Sequence, residues 1–298
     1  MKEKKNGASV ATPNETPKQP SGFSAFWKRY ARSKVAVFGL CILLILTLLA
    51  IFAPLVATHS YSEQNLSNAF QGPSAEHWFG TDNFGRDVFS RVIYGARLSL
   101  RIGFISVGIA LLAGGFIGAV AGYYGSWLDN ILMRLMDILL SIPQFLLAIA
   151  IAASLGPGIT NLMIAVGISA TPTYARIMRA SILSAKEQEY VEAARLSGAK
   201  NLRIILRHIL PNCVAPLIVQ MTLGIASAIL NAAGLSFIGL GPEPPIPEWG
   251  GMLSEGREFF RTYPLPAVFP GLFISITIFA LNVVGDGLRD ALDPKQRR

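Results

Sequence analysis

The amino-acid sequence predicts an all-α integral membrane protein with six transmembrane helices and with both termini in the cytoplasm. Of its 298 residues, 52% are hydrophobic and only 15% are charged, whereas soluble domains carry about 25% charged residues. Five stretches lack Lys, Arg, Asp, Glu and His altogether, and each is long enough to cross a bilayer. They comprise residues 35–56, 102–128, 138–175, 209–242 and 262–285. The stretches are continuously apolar rather than alternating, which excludes a β-barrel, and five of them disfavour a soluble enzyme with buried helices.

The individual spans follow from these stretches. Gly156-Pro157-Gly158 divides the 138–175 stretch in two, because such a triplet ends a helix and opens a tight turn. Pro143 and Pro172 fall within the third and fourth spans and are expected to kink them. The six predicted spans are residues 35–56, 101–122, 133–155, 159–178, 213–240 and 265–286.

Small residues characterise the second span. Gly114, Gly118 and Gly122 recur at intervals of four. Overlapping GxxxG motifs let helix backbones approach closely in lipid, so this face is predicted to pack against another helix rather than to line a pathway.

The positions of the basic residues predict the orientation. Residues 1–34 hold eight Lys or Arg, the segment from Arg176 to residue 212 holds seven, and residues 287–298 hold four. The two long loops on the opposite side hold five together. Because Lys and Arg accumulate on the cytoplasmic side, both termini are expected there. The net charge of +8 therefore reflects topology and contact with lipid, and it indicates no nucleic-acid partner.

The chain is expected to be organised as one membrane unit with polar ends. The predicted parts are a disordered cytoplasmic tail (1–22), an interfacial helix with the first transmembrane helix (23–56), an extracytoplasmic segment (57–97), a five-helix core (98–290) and a short cytoplasmic tail (291–298). Residues 1–20 lack the apolar region of a signal peptide, so the first span is expected to act as an uncleaved anchor. Asp87 and Arg91, four residues apart, are expected to pair on a helix surface.

The sequence predicts no catalytic, cofactor or metal site. It contains no HExxH, GxSxG or GxxxxGK[ST] motif, so neither a membrane enzyme nor an ATP site of this chain's own is indicated. Cys41 and Cys213 are expected to be packing residues. His208 stands alone, and His59 and His77 fall in the extracytoplasmic segment. A secondary transporter working alone is disfavoured, because the acidic residues lie in loops or at the ends of spans.

The cytoplasmic loop 179–212, within the five-helix core, contains residues that mark the beginning and end of helices. Ser184 and Glu187 form an S-x-x-E pattern that predicts a helix start, and Gly198 is a natural left-handed end. A second helix is predicted from about Asn201, with an apolar stripe that runs to Ile209 opposite basic residues. The small residues of the first helix favour insertion into a groove of a partner protein.

Residues of this loop resemble the EAA loop of ABC importer permeases. The matching residues are Glu192, Ala193 and Ala194, then Gly198, and finally Ile209, Leu210 and Pro211. The resemblance implies a type I importer permease fold with a coupling helix docked on a cytoplasmic ATPase subunit. It also implies that Glu192 helps to shape the loop and that Gly198 provides its bend. ATP and Mg²⁺ would be bound by the ATPase subunits and not by this chain.

Further motifs resemble one branch of that family, the C-type (second) membrane subunit of dipeptide, oligopeptide and nickel permeases. They are FGTDNFGRDVFSRVIYGARLSL (79–100), LMDILLSIP (135–143), LSFIGLG with PEWGGML (235–253) and GDGLRDALDPK (285–295). The resemblance implies a homologous B-type permease, one or two ATPase subunits, an extracytoplasmic solute-binding protein and a bacterial or archaeal plasma membrane. Peptides are the expected solutes, and glutathione and nickel remain alternatives, because the binding protein largely selects among them.

Overall fold

The computed structural model describes residues 22–292, and the regular elements in that range are helical apart from one isolated β-bridge, between Thr81 and Asp87. The predicted tails therefore lie almost wholly outside the described residues. The helices are α1 (Gly22–Tyr30), α2 (Lys34–Ile51), α3 (Ala53–Val56), α4 (Val88–Tyr124), α5 (Ser126–Leu140), α6 (Gln144–Leu155), α7 (Ile159–Lys186), α8 (Glu189–Leu196), α9 (Asn201–Ile204), α10 (Leu210–Phe237), α11 (Trp249–Arg257) and α12 (Leu265–Leu292). A single 3₁₀ turn covers Leu66–Asn68, and a π-helical turn covers Ile205–Ile209.

The apolar helices match the predicted membrane class. Four helical runs are long and apolar enough to span a bilayer: Lys34–Ile51, Val88–Tyr124, Asn201–Phe237 and Leu265–Leu292. The pair α5 and α6 qualifies together as a bent fifth. The predicted fourth span forms as α7 but is more polar than the others. The helical membrane fold is thus confirmed, while the number of six spans and the cytoplasmic termini stay predictions.

The predicted third span, 133–155, is not one helix. α5 and α6 meet at 89° across a break at residues 141–143. Pro143 has no N–H to donate, and its ring disfavours helical geometry at Ile142. The N–H of Ser141 closes α5 by bonding to the Asp137 carbonyl at 3.0 Å. The bend expected at Pro143 is present, and it is a break between two helices rather than a kink within one.

α4 and α7 form the central helix pair. Gly114, Gly118 and Gly122 face α7, and a Cβ atom added at Gly118 would overlap the carbonyl oxygen of Ala175. At Gly122 the added atom would lie 3.0 Å from the Arg179 carbonyl. The GxxxG face is therefore a packing face, as predicted, and it sets how closely the two helices approach.

The remaining long helices pack around this pair. α10 contacts α4, α7 and α12, and α2 packs along α12. The short helix α1 lies against the end of α12, where the Tyr30 ring covers Gly287 and the Tyr30 hydroxyl donates to the Ala36 carbonyl at 3.0 Å. The helix predicted before the first transmembrane span thus corresponds to α1, which packs against α12. Its position at the membrane interface stays a prediction.

A buried ionic cluster joins the segment before α4 to α11. Asp82 accepts from Arg86 Nε at 2.6 Å, and Glu255 accepts from Arg86 Nη2 at 2.5 Å and from Arg91 Nη2 at 2.9 Å. The predicted pairing of Asp87 with Arg91 is wrong, because Arg91 turns towards Glu255. Removing one partner of such a buried pair costs about 3–5 kcal/mol, so the cluster holds these two distant segments together.

The PEWGGML motif is explained by the way α11 docks on α4. Trp249 is fully buried, and its Nε1–H donates to the Val92 carbonyl at 3.0 Å. A Cβ atom at Gly95 would lie 2.8 Å from the Trp249 ring, so glycine leaves room for the indole. The buried carboxylate of Glu248 caps α11 by accepting from the Gly251 N–H at 2.9 Å.

Candidate functional site

The candidate site is the segment between α7 and α10, which contains the EAA-like residues. We call α8, the turn at Gly198 and α9 (residues 189–204) the elbow. α8 is attached to the body of the protein chiefly through Val191, which is 1% exposed and belongs to the main apolar core. Leu196, at the other end of the helix, is 84% exposed. The elbow therefore presents an apolar side chain outward while one buried residue anchors it.

The turn at Gly198 has the predicted geometry. Gly198 has a φ of +78°, which an L-residue with a side chain rarely adopts. Its N–H donates to the Arg195 carbonyl at 3.0 Å, and the Ala199 N–H donates to the Ala194 carbonyl at 3.1 Å. These two bonds form a Schellman motif, so the bend expected from the sequence is confirmed.

The helix boundaries around the elbow differ from those predicted. Ser184 lies inside α7, which continues to Lys186, so the capping-box interpretation of Ser184 and Glu187 is wrong. α8 begins at Glu189 after Gln188, whose side chain makes no capping bond. A capping residue stands at the start of a helix, whereas Ser184 is preceded directly by helical residues of α7. The S-x-x-E pattern therefore does not form a cap here.

The second predicted helix is part of a longer helical run. Residues 201–237 continue without a break, and Pro211 lies in the first turn of α10. The intervening π turn bonds the Leu210 N–H to the Ile205 carbonyl. Ile204 and Ile209 are both fully buried, five residues apart. Of the predicted apolar stripe, Leu202 and Leu206 are exposed, Ile205 is partly buried and Ile209 is fully buried.

Tyr123, at the end of α4, contacts the last residue of α7 and the first residue of α9. Its hydroxyl donates to Asn201 Oδ1 at 2.8 Å, and its carbonyl accepts from Lys186 Nζ at 2.7 Å. No sequence motif predicts this role for Tyr123, and its only signal is the Tyr-Tyr-Gly sequence near the end of the charge-free stretch. Through Tyr123, the end of α7 and the residue that follows the turn of the elbow are fastened to the same helix.

Two ion pairs brace α7 against α5 beside the elbow. Arg179 donates to both carboxylate oxygens of Asp129 at 2.6 Å each, and Arg176 donates to Asp137 Oδ1 at 2.5 Å. Asp137 thus pairs with a residue of α7 and not with a residue of its own helix. The bidentate Arg179 pair fixes geometry more firmly than a single bond, although exposed pairs contribute only about 0–1 kcal/mol.

A small polar cavity lies deeper among the helices. Its volume is about 60 Å³, and α4, α6, α7 and α10 enclose it. The polar residues lining it are Ser106, Gln144, Thr173, Tyr174, Gln220 and Ser227. Such uncharged side chains can form hydrogen bonds with water or with amide groups, and none of them was singled out from the sequence.

The EAA-like residues occupy different environments. Glu192, Ala193 and Pro211 are exposed, Ala194 and Leu210 are partly buried, Ile209 is fully buried, and Gly198 forms the turn. No ion pair engages Glu192 anywhere in the part of the chain that the structure describes, residues 22–292. Its role in shaping the loop stays a prediction.

Comparison with protein families gives two matches that together cover most of the chain. Residues 114–298 match the model of the binding-protein-dependent transport system inner membrane component. Residues 21–73 match the N-terminal TM domain of oligopeptide transport permease C. The elbow and its flanking helices lie entirely within the first match.

Similar individual proteins are transport components. The dipeptide transport system permease protein DppC of Alkalihalophilus pseudofirmus is 52% identical over 271 residues, which cover 91% of this chain and 89% of the relative. The glutathione transport system permease protein GsiD of Escherichia coli is 46% identical over 274 residues, with coverage of 91% and 89%. Among solved structures, the inward-facing methionine ABC transporter MetNI aligns with a TM-score of 0.54 at 16% identity, over 68% of this chain and 97% of that chain. The last likeness shows a shared fold alone.

Proposed function

This chain belongs to the family of inner membrane components of binding-protein-dependent transport systems, and from that membership we propose that it is the C-type permease subunit of an ATP-driven importer of di- or oligopeptides. It pairs with a homologous B-type permease to form the pathway. One or two kinds of cytoplasmic ATPase subunit bind ATP and Mg²⁺, and an extracytoplasmic binding protein delivers the solute. The chain itself catalyses no reaction.

The observation that carries this proposal is the exposed elbow held between two long helices. A short helix with an exposed Leu196 suits a groove on a partner protein, since apolar helix faces commonly dock in that way. α7 leads into the elbow and the 201–237 run leads out of it, so a displacement of the elbow reaches both helices. We therefore assign ATPase coupling to Glu192, Ala193, Ala194 and Gly198, with Ile209, Leu210 and Pro211 at the exit.

Substitutions in the elbow test this assignment. Glu192→Lys or Gly198→Asp should leave the chain inserted in the membrane but reduce solute uptake by about tenfold or more relative to ATP hydrolysis. The reason is that the first reverses a charge on the docking face, and the second strains a turn that needs a positive φ. The measurement is uptake together with ATPase activity in proteoliposomes that contain the complete transporter.

Two control variants sharpen this experiment. Glu243→Lys makes the same charge change at an exposed position between α10 and α11, remote in sequence from the elbow, and should transport normally. Gly198→Asn should retain more activity than Gly198→Asp, because asparagine tolerates the left-handed conformation better. Wild-type uptake with normal ATPase stimulation in both elbow variants would refute the coupling role.

A second candidate solute is glutathione, because a glutathione permease is among the similar proteins. The polar side chains that line part of the small cavity can form hydrogen bonds with amide groups, which dipeptides, oligopeptides and glutathione all contain. Uptake of a labelled dipeptide, of glutathione and of Ni²⁺ by the complete transporter distinguishes the three solutes. Ion-driven uptake by the purified chain alone would instead indicate a secondary transporter.

A further inference from the structure

A group of potential metal ligands lies in the segment between α3 and α4, far from the elbow in sequence. His59, Glu76 and His77 each offer one ligand atom, and these atoms lie within 4.8 Å of one another. The two imidazole rings are tilted against each other with centroids 4.6 Å apart. His59 is partly exposed, Glu76 is exposed, and His77 is only 5% exposed.

The more buried histidine is held in a fixed orientation. His77 Nδ1 donates to Asp87 Oδ1 at 2.9 Å, which leaves its Nε2 free to bind a ligand. Asp87 is itself fixed as the N-cap of α4, where its Oδ2 accepts from the Ser90 N–H at 2.7 Å. A carboxylate behind a histidine in this way is the usual outer partner of a metal-binding imidazole.

The first histidine is positioned by the same helix start. The His59 backbone N–H donates to Ser90 Oγ at 3.0 Å, and His59 Nδ1 lies 3.0 Å from Thr58 Oγ1. The His59 ring is 3.9 Å from the Asp87 carboxylate, so it does not share the bond that His77 makes. The beginning and the end of the segment thus place one imidazole each beside the same cavity.

The space between these side chains suits an ion. The cavity has a volume of about 90 Å³, and its lining includes Glu63 and Asn65 in addition to the three ligands. A water occupies about 30 Å³ of liquid volume, so an ion with one or two waters fits. Two imidazole nitrogens with one carboxylate oxygen form a ligand set typical of Zn²⁺ with an open fourth position, and other first-row divalent cations accept the same donors.

We propose that His59, Glu76 and His77 bind one first-row divalent cation, best represented by Zn²⁺, and that Asp87 is a positioning residue for His77. Because ligand bonds to Zn²⁺ are about 2.0–2.2 Å long, small rotations of His59 and Glu76 bring all three atoms onto one ion. The ion ties the residues after α3 to the residues before α4 and so closes the segment into a loop. This inference rests on the local geometry and not on the proposed transport function.

Metal binding to the full chain tests the proposal. The chain is purified in detergent with an affinity tag that contains no histidine, stripped with a chelator, and titrated with Zn²⁺ and with Co²⁺ as a spectroscopic probe. The expected result is saturable binding of one ion, with Co²⁺ absorption bands in the visible region. Glu76→Gln and His59→Ala should each weaken Zn²⁺ binding by about tenfold or more, since even outer-shell changes cost about 10–100-fold.

Two control variants distinguish binding at this site from nonspecific binding of Zn²⁺ to other histidine and carboxylate side chains. His208→Ala changes the only other histidine of the chain, which lies in the π turn, and should leave Zn²⁺ binding unchanged. Glu243→Gln removes the charge of an exposed glutamate outside the proposed site and should likewise leave Zn²⁺ binding unchanged. The variants avoid the buried His77, and circular dichroism verifies that each is folded. No saturable binding by the wild type, or equal affinity in all four variants, would overturn the proposal.

Discussion

At the scale of single residues, Glu248 is a buried acid whose ionisation opposes folding. Burial raises the pKa of its carboxyl above the ordinary glutamate range, and the N–H bonds from α11 offset this only in part. The folded state then binds a proton more tightly than the unfolded state. Its contribution to stability is complete at low pH and is lost as the pH rises through the folded-state pKa.

Glu248→Gln should therefore flatten the pH dependence of stability. Glutamine keeps an oxygen for the Gly251 N–H but cannot ionise, so the variant should gain stability relative to wild type as the pH increases. The difference for one proton grows by at most about 1.4 kcal/mol per pH unit. Thermal unfolding in detergent between pH 4 and pH 9 measures it, with the exposed Glu243→Gln as control. Parallel curves for wild type and Glu248→Gln would contradict the expectation.

Tyr123 shows what inspection of single residues misses. Tyr123 forms hydrogen bonds with Lys186 and Asn201, which lie 63 and 78 positions further along the chain. Nothing in the local sequence marks a tyrosine at a helix end for such contacts. By contrast, Gly198 was identifiable in advance, because a left-handed helix end is a local property of the backbone.

At the scale of helices, the closeness of α4 and α7 depends on glycines. Gly118→Ala should destabilise the protein by about 1–3 kcal/mol, as overpacking does, since the added methyl group meets a backbone carbonyl that cannot rotate away. Gly108→Ala on the same helix is the matched control. Nothing lies within 4 Å of its added Cβ, so it should be neutral or stabilising by up to about 1 kcal/mol. Unfolding midpoints in detergent measure both, and equal effects would rule out the close packing.

The helices also differ in how accurately the sequence predicts their bounds. Charge-free stretches bounded by charges define α2, α10 and α12 closely, because apolar length is read directly from composition. The break between α5 and α6 was expected as a bend at Pro143, but its angle depends on what the two helices pack against. The π turn at 205–209 was not predicted, because the apolar residues of this segment fit an ordinary α-helical period equally well.

At the scale of the whole molecule, the orientation predicted from the sequence places residues 57–97 on the extracytoplasmic side and the elbow in the cytoplasm. Both Ser62 and Ser197 are exposed, so cysteine at either position is accessible to reagent. A membrane-impermeant maleimide should label Ser62→Cys in intact cells and Ser197→Cys only after permeabilisation. The wild type sets the background from Cys41 and Cys213, which lie in apolar helices. Labelling of Ser197→Cys in intact cells would reverse the assigned orientation.

By itself, the sequence determined that this is a helical membrane protein and that its core helices lie near the charge-free stretches. It also determined that a short helix ends at a turn formed by Gly198. These properties follow from composition and from hydrogen bonds between near neighbours. Only the tertiary structure decided that Tyr123 bonds both Lys186 and Asn201, that Arg91 turns to Glu255, and that His59 meets His77. Those contacts depend on how the helices pack. Packing brings together residues that are far apart in the sequence, so the sequence alone does not show which of them meet.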